Sequence, residues 1–323
     1  MPHHLSNVVE DVLSRHGALR QSLTIALSGG VDSMVLLDIL GGQKVPLSLD
    51  LRALHVHHGL SSHADSWADF CRQQCAQRDI PCHIEKVQVD RKAGVGIEGA
   101  ARAARYAAFS RETSAFIVAA QHLDDQSETV LHQMLRGTGL AGLAGMGESR
   151  KLENGPVLLR PFLSVRRSEI ETYARTQHLQ WVEDESNDDT AYTRNFIRHE
   201  FAPQIEARFP HYREALARTA RHAAESATLL ESLAKIDLQW DGRQALAETL
   251  DSLSGLRQIN ALYYWLRWHR AEPPSHAQLE EWAGQLFRAS PPDKPHQAGG
   301  HDYLIRRQKN RLIFMPFPQM NRD

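Results

Sequence analysis

A serine- and glycine-rich segment near the N-terminus has the residue types of a phosphate-binding turn. Residues 28–33 read Ser-Gly-Gly-Val-Asp-Ser, between an apolar run and a helical pattern. The glycines allow the backbone to approach a polyphosphate, and the helix N-terminus directs unpaired N–H groups at it. Ser28 and Ser33 can donate hydroxyl hydrogen bonds, and Asp32 can hold Mg²⁺ between phosphate oxygens. The segment therefore predicts an anion cradle with Asp32 as the metal ligand.

The spacing separates this cradle from two other nucleotide-binding turns. No Lys-Ser or Lys-Thr pair follows the glycines, as a Walker sequence requires, and the Gly-x-Gly-x-x-Gly spacing of dinucleotide-binding turns is missing. The alternative is an ordinary glycine turn before a helix. A strand, Ser-Gly-Gly-x-Asp-Ser and a helix in succession argue against that alternative.

Three carboxylates lie close together after a later apolar run at residues 115–120. They are Asp124, Asp125 and Glu128, and the last two share a helix face at i, i+3 spacing. Such a group can bind an ammonium, and one member can act as a general base. Helix capping is the alternative role. We favour the functional role because the segment closes a strand at the sheet edge where ligands bind.

Basic and amide side chains supply further candidates. Arg102 and Arg105 can pair with a phosphate or stack on a base, and surface pairing with Glu98 is an equal alternative. Arg194 and Asn195 begin a positive stripe, residues 194–222, with six arginines against three glutamates. A solvated helix face is the alternative reading of that stripe.

Histidines cluster at the end of another apolar run. His55, His57 and His58 have no cysteine or carboxylate set nearby in the sequence, and two of them are adjacent. This pattern favours structural or nucleotide-contact roles over a zinc site. His55 is therefore a candidate nucleotide contact.

Alternating strand and helix patterns position all these residues. Apolar runs predict strands at 22–27, 49–56, 82–89 and 115–120, and helical patterns follow at 31–40, 64–78, 98–113 and 125–136. This alternation predicts an α/β fold whose parallel sheet carries helices on both faces. In such a sheet the candidate groups meet at the carboxyl ends of the strands.

Composition excludes several classes of protein. The chain has 323 residues, enough for about two domains, and 42% of them are hydrophobic. No apolar run approaches the roughly 20 residues of a membrane span, and the N-terminus lacks the pattern of a secretory signal. Three cysteines argue against a disulfide framework, so we expect a cytoplasmic protein without a membrane. A net charge of −2 argues against a general nucleic-acid binder.

The cradle resembles the PP-loop of the ATP pyrophosphatase (N-type) superfamily, whose members cleave ATP to AMP and pyrophosphate. Further segments resemble the tRNA(Ile)-lysidine synthase family over roughly residues 20–205. Those segments are His55–Leu60, Glu98–Tyr106, Gln121–Thr129, Trp181–Asn187 and Arg194–Arg198. The Asp-Asp-x-x-Glu-Thr and Arg-Asn-x-x-Arg patterns are the more specific pieces.

The resemblance implies a fold and a reaction. The fold is an adenine nucleotide alpha hydrolase-like (PP-loop) catalytic domain, which we place at 1–215. A smaller, mainly helical tRNA-binding domain with a terminal basic hairpin follows at 216–323. The reaction is ligation of L-lysine to C2 of the wobble cytidine in an isoleucine tRNA with a CAU anticodon. It consumes ATP with Mg²⁺ through an adenylated cytidine and gives lysidine, AMP and pyrophosphate.

The resemblance also implies roles for the candidate residues. Nucleotide binding falls to Ser28, Gly29, Gly30, Val31, Asp32, Ser33 and His55, with Asp32 at the metal. The expected catalytic residues are Asp32, Asp124, Asp125, Glu128, Arg102, Arg105, Arg194 and Asn195. The carboxylates would bind lysine or supply a second metal contact. The arginines and the asparagine, Arg102, Arg105, Arg194 and Asn195, would position ATP or the cytidine. The sequence does not indicate which carboxylate binds lysine and which one acts as the base. A homodimer is compatible with the resemblance, and the oligomeric state stays open.

Other functions have weaker support. A PP-loop tRNA thiolase would want a cysteine pair, but Cys71, Cys75 and Cys82 form no Cys-x-x-Cys. An amidotransferase of the superfamily would need a glutaminase domain with its own cysteine. A non-catalytic tRNA-binding protein would not need the intact carboxylates. Longer family members carry a further C-terminal domain that contacts the acceptor stem, and we expect this sequence to lack it.

Overall fold

The computed structural model describes residues 2–90, 96–185, 190, 192–240, 245–271, 274–287, 297–300 and 302–317. The chain divides into two compact units, Met1–His222 and Ala223–Asp323. The assignment of 1–215 to catalysis and of 216–323 to tRNA binding stays a prediction. No helix within the described ranges is both long and apolar enough to cross a bilayer.

Strands and helices alternate along most of the first unit, as the sequence patterns predict. The elements are α1 (Pro2–Arg15), β1 (Ser22–Ala26), α2 (Val31–Gln43), β2 (Asp50–His57), α3 (Ala64–Ala76), β3 (Cys82–Lys86), α4 (Gly96–Arg111), β4 (Phe116–Val118), α5 (Leu123–Leu135), α6 (Leu140–Leu143), β5 (Ser149–Lys151), β6 (Val157–Leu159), α7 (Arg167–Thr176), α8 (Thr193–Phe196) and α9 (Ala202–Arg208). A 3₁₀ turn (Pro161–Ser164) precedes α7, and a π-helical turn (Ile197–Phe201) joins α8 to α9. Helix α10 (Tyr212–Asp237) starts in the first unit and ends in the second.

The strands of the first unit form one sheet in the order β3-β2-β1-β4-β6-β5. All neighbours are parallel except β5, which pairs antiparallel with β6. In register, Ile25 on β1 lies between Ala53 and Val118. The chain order reverses at β1, so β1 and β4 flank the crevice in which ligands bind in open α/β sheets. The segments after these two strands are the predicted cradle and the predicted acidic group.

The core explains why the cradle has a fixed position. Leu23 and Ile25 on β1 are fully buried, and so are Met34, Leu36 and Leu37 on α2. Burying such a side chain stabilises the fold by about 1.5–3 kcal/mol. Because α2 is buried on most of its surface, the turn between β1 and α2 is held at both ends by the core.

The second unit is mainly helical, with a small antiparallel sheet. Its remaining elements are α11 (Glu248–Asp251), α12 (Gly255–Trp268), α13 (His276–Phe287), β7 (Gln297–Gly299), β8 (Tyr303–Gln308) and β9 (Arg311–Pro316). The strand order is β7-β8-β9. Trp265, Leu286 and Ile305 are at the centre of its core, each at most 1% exposed. Arg307 beside the turn between β8 and β9 is paired with Asp251, at 2.5 and 2.6 Å, so part of the terminal basic cluster is neutralised.

Candidate active site

Ser33 fixes the shape of the turn between β1 and α2. Its Oγ accepts hydrogen bonds from the N–H groups of Ser28 (3.2 Å) and Gly29 (3.1 Å), and it donates one to the Gly30 carbonyl (3.0 Å). Gly30 is the N-cap of α2, and no side chain caps that end among the described residues. The first N–H groups of α2 are therefore left for an anion, together with the positive end of the helix dipole. This geometry is that of a phosphate cradle over the predicted residues 28–33.

Gly29 occupies a position that other residues cannot take without strain. Its φ is +91°, in the left-handed region. A Cβ there would lie 2.9 Å from Val182 Cγ2 and 3.1 Å from Cys71 Sγ. The Gly29 carbonyl accepts a hydrogen bond from the N–H of Val182 (3.0 Å), so Val182 lies directly against the cradle.

We expect Gly29→Ala to destabilise the chain by about 1–3 kcal/mol, because the positive φ and the contact with Val182 both disfavour a Cβ. Gly30→Ala is the matched control, since a Cβ there meets Ser28 Oγ at an ordinary 3.5 Å and the φ of Gly30 is −71°. Urea unfolding of both variants measures the difference. Equal stability of the two would contradict the assigned backbone conformation.

Asp32 projects an unsatisfied oxygen at the mouth of the cradle. Its Oδ1 is buried and accepts no hydrogen bond from any described residue, and its Oδ2 lies 3.7 Å from His122 Nε2. Burial raises the pKa of Asp32, against the opposing effect of His122 and Arg167. An orphaned carboxylate oxygen of this kind fits Mg²⁺, which is commonly held by one or two carboxylates together with substrate phosphates. Within the described residues, no group of three His, Cys, Asp or Glu side chains could hold a metal ion by itself.

The predicted carboxylates Asp125 and Glu128 are paired with two arginines. Glu128 is 4% exposed and accepts hydrogen bonds from Arg194 Nε (3.1 Å) and from Arg198 Nε and Nη2 (2.6 and 3.0 Å). Asp125 Oδ1 accepts from Arg198 (3.2 Å) and Arg194 (3.4 Å). Burial alone would raise the pKa of Asp125, but His122 and the two arginines hold it below its usual value. The structure thus joins the Asp-Asp-x-x-Glu and Arg-Asn-x-x-Arg segments in one network.

Asp124 has its own partners on other elements. Its Oδ1 accepts from Arg213 Nε (2.6 Å), and its Oδ2 accepts from the backbone N–H of Arg167 (2.9 Å). Arg213 is held in turn by Glu206 (2.6 and 3.0 Å). Asp124, Glu128, Arg198 and Arg213 line a cavity of about 50 Å³.

His122 connects the cradle to the acidic network. It is the N-cap of α5, and its Nδ1 accepts the N–H of Asp125 (3.3 Å) while Asp125 Oδ2 accepts the N–H of His122 (3.1 Å). Since Nδ1 accepts, the neutral ring carries its proton on Nε2, which faces Asp32 (3.7 Å) and Asp125 (3.5 Å). Asp125 therefore fills the capping role as well as lying in the cleft.

The remaining predicted residues fall into two groups. Arg105 is exposed, and its charged neighbours include Arg102 and Arg194. Burial, together with the charge of Arg105, lowers the pKa of His58 to about 4. Arg102 also donates to the hydroxyl of Tyr106 (3.2 Å). His55 is buried and its Nδ1 donates to the Leu27 carbonyl (2.9 Å), so it ties β2 to the end of β1.

Arg198, Arg213 and His122 belong to this network but are not among the predicted catalytic or nucleotide-binding residues. Arg198 closes the Arg-Asn-x-x-Arg pattern at i, i+4 spacing from Arg194, and His122 lies in the resembling segment Gln121–Thr129. Arg213 stood out only as a member of the positive stripe. Asn195 lies on α8 between the two network arginines and has a partner of its own. Ser186 and Asn187, at the end of one resembling segment, lie outside the described residues.

Two family models match the chain. A PP-loop domain matches residues 2–205, and a TilS substrate binding domain matches residues 247–313. The first match covers more than half of the chain and, with the geometry of the cradle, identifies an ATP-binding domain.

Curated relatives agree with these matches. A tRNA(Ile)-lysidine synthase of Serratia proteamaculans is 41% identical over 318 residues, which cover 96% of this chain and 72% of the relative. The enzyme of the same name from Nitrosomonas europaea is 42% identical over 277 residues, which cover 83% of this chain and 60% of the relative. The chain thus spans between three fifths and three quarters of the length of these relatives.

A solved structure shows the same fold. The U34-tRNA thiolase NcsA from Methanococcus maripaludis, determined with its [4Fe-4S] cluster, matches with a TM-score of 0.58 and 18% identity. The match covers 69% of this chain and 79% of that one, and at this identity it bears on the fold alone. The predicted α/β PP-loop fold is confirmed. Together with the family models and the curated relatives, the fold shows that the chain belongs to the tRNA(Ile)-lysidine synthase family of PP-loop proteins.

Proposed function

We propose that the chain joins L-lysine to C2 of the wobble cytidine of an isoleucine tRNA with a CAU anticodon, in the cytoplasm. ATP is consumed, and lysidine, AMP and pyrophosphate are formed. One observation carries the proposal. The phosphate cradle after β1 and the acidic network after β4 meet at His122 Nε2, which lies 3.7 Å from Asp32 Oδ2 and 3.5 Å from Asp125 Oδ2. A nucleotide in the cradle would therefore have its reacting end beside groups suited to an amine.

The reaction follows from what the cradle can stabilise. The C2 oxygen of cytidine attacks the α-phosphorus of ATP, and pyrophosphate leaves. The N–H groups at the start of α2 would hold the phosphates and neutralise charge on the departing group. Asp32 would hold Mg²⁺, which supplies Lewis-acid stabilisation of the phosphate oxygens. The ε-amine of lysine then attacks C2 and AMP leaves, so the oxygen departs as part of a good leaving group.

Lysine is assigned to the carboxylates Asp124, Asp125 and Glu128. Each of them already accepts hydrogen bonds from an arginine, so the ammonium would enter by replacing one guanidinium. Asp125 lies 3.5 Å from the His122 Nε2 that also faces Asp32, so we assign it the binding of the ammonium, and one of the three carboxylates would remove the proton. Arg105, Arg194 and Asn195 would position ATP or the cytidine. Arg102 lies on α4, the helix that also carries Arg105.

AMP formation tests the proposal. The chain is incubated with ATP, Mg²⁺, lysine and a transcript of the isoleucine tRNA, and each component is omitted in turn. We expect AMP and pyrophosphate in equal amounts, with product formation dependent on lysine and on the CAU anticodon. Turnover that requires a sulfur donor would indicate a thiolase, and tRNA binding without turnover would indicate a non-catalytic protein; either would reject the proposal.

Two of the three cysteines, Cys71 and Cys75, weigh against the thiolase. Cys71 and Cys75 are fully buried, and burial raises the pKa of Cys71 to about 12. A thiol with such a pKa is protonated at neutral pH and is a poor nucleophile or metal ligand. Cys71 packs against Gly29 and His55. Its role is therefore support of the cradle.

A further inference from the structure

A group of arginines surrounds Tyr106 on α4, and the proposed reaction does not account for all of them. The guanidinium carbons of Arg102 and Arg150 lie 5.0 and 5.4 Å from the centre of the Tyr106 ring. The tyrosine hydroxyl accepts hydrogen bonds from Arg102 and Arg160, both at 3.2 Å. We call Tyr106, Arg102, Arg150 and Arg160 the tyrosine–arginine cluster.

The cluster lacks compensating negative charge. Within the described ranges, none of its three arginines pairs with a carboxylate. Glu148 is the carboxylate nearest to Arg150 in the sequence. It is hydrogen-bonded to Arg15 (2.9 and 3.0 Å) and His16 (2.9 Å). Three like charges therefore converge on one aromatic ring. The ring quadrupole attracts Arg102 and Arg150, and the hydroxyl accepts from Arg160, but neither cancels the repulsion between the three cations.

The lack of negative charge is most unfavourable at Arg160, because this arginine is buried. It is 2% exposed, its Nη1 donates to the Gly147 carbonyl (2.7 Å), and its Nε is buried with no acceptor among the described residues. Its partners are neutral, and burial lowers its pKa. A buried cation without an opposite charge is unfavourable unless a ligand supplies that charge. Arg102 and Arg150 are exposed, so an anion could reach the cluster from solvent.

The ligand chemistry follows from the donors. Guanidinium groups present paired N–H donors that match two oxygens of a phosphate group. Such a phosphate could belong to ATP or to RNA. The cradle after β1 already receives the phosphates of ATP, and β5, which carries Arg150, is three strands away from β1. At about 4.8 Å per strand, this separation is about 14 Å in the plane of the sheet. The cluster is therefore suited to a second phosphate.

We infer that the tyrosine–arginine cluster binds a backbone phosphodiester of the RNA substrate and so holds the strand whose base enters the cleft. This inference rests on the proposed function for the identity of the RNA. The site is built from α4, β5 and the residue after β6.

RNA binding as a function of salt tests this inference. The probe is the tRNA transcript with the CAU anticodon, measured by fluorescence anisotropy between 50 and 200 mM salt without ATP or lysine. We expect Arg150→Gln to weaken binding about fivefold at 150 mM salt and to reduce the slope of log affinity against log salt by about 1, the loss of one phosphate contact. Arg150→Lys keeps the charge, so we expect it to retain the slope.

Arg52→Gln is the matched control. Arg52 is also an exposed arginine on a strand, but it pairs with Asp50 (3.3 Å) near the start of β2, away from the carboxyl edge of the sheet. We expect this variant to bind RNA like the parent. Thermal unfolding of both variants checks that neither has lost its fold, and Arg102→Gln on the exposed side of α4 gives an independent second variant with the same expected loss.

Two outcomes would overturn the inference. One is equal RNA affinity and salt slope for Arg150→Gln and Arg52→Gln. The other is weaker ATP binding by calorimetry with RNA binding unchanged, which would assign the cluster to the nucleotide. Failure of the proposed function is a separate result. If the parent forms no lysine-dependent AMP while Arg150→Gln still weakens RNA binding, the reaction is wrong and the phosphate site stands.

Discussion

Asp32→Asn is expected to reduce AMP formation about a thousandfold and to leave the fold intact. The change removes the negative charge that would hold Mg²⁺ at the phosphates, and losing one such electrostatic interaction costs about 4 kcal/mol of transition-state stabilisation. Stability should be unchanged or higher. The raised pKa of Asp32 means that folding disfavours its ionised form, so at neutral pH the charge is a cost to the native state.

The measurement pairs single-turnover AMP formation with thermal unfolding. Asp50→Asn serves as the control, because Asp50 is an exposed carboxylate at the start of β2 and should leave both quantities unchanged. A turnover rate for Asp32→Asn within tenfold of the parent would reject the role of Asp32. A large fall in the unfolding midpoint would show instead that its carboxylate stabilises the fold.

Glu128→Gln should have the largest effect on stability. The carboxylate is 4% exposed and accepts three hydrogen bonds from Arg194 and Arg198. An amide keeps the shape but leaves two guanidinium groups with Asp125 alone as their counter-charge, and breaking a buried ion pair costs about 3–5 kcal/mol. Since the two arginines anchor α8 and the π-helical turn to α5, lysine-dependent turnover should be lost as well. Urea unfolding at neutral pH measures the stability change.

Glu148→Gln is the matched control for this variant. Glu148 also receives two hydrogen bonds from an arginine, Arg15, but that arginine is 52% exposed. Exposed pairs of this kind are worth up to about 1 kcal/mol. Equal losses of stability in the two variants would contradict the view that burial makes the Glu128 network important.

The sequence predicted the main elements around the site because their patterns are local. The alternation of short apolar runs with helical spacing identified β1, β2, β3, β4 and the helices that follow them. The strands β5 and β6 were not predicted. Each has three residues, which is too short to show the alternation of apolar and polar residues typical of a strand. The cradle was predicted because its glycines and serines act within a six-residue turn.

The acidic network shows where local reasoning ends. The spacing of Asp125 and Glu128 predicted a shared helix face, and the alternatives for them were a ligand or a helix cap. The structure shows Asp125 in the helix cap and also brings Arg194 and Arg198 to both carboxylates from 66 to 73 residues away. Hydrogen bonds over such separations depend on how helices pack, and periodicity carries no information about that packing.

By itself, the sequence determined the chemistry available to this protein. It supplies a turn that can accept phosphates, an aspartate for a metal ion, carboxylates that can bind an ammonium, and arginines that can bind phosphate. These follow from residue type and from short spacings. Only the tertiary structure decided which carboxylate oxygens are free and which cations lack partners. Among the residues that the structure describes, Asp32 Oδ1 has no hydrogen-bond donor whereas Glu128 has three, and Arg160 is buried with no carboxylate beside it. The reason is that charge pairing depends on distance and burial in space, and segments remote in the sequence set both.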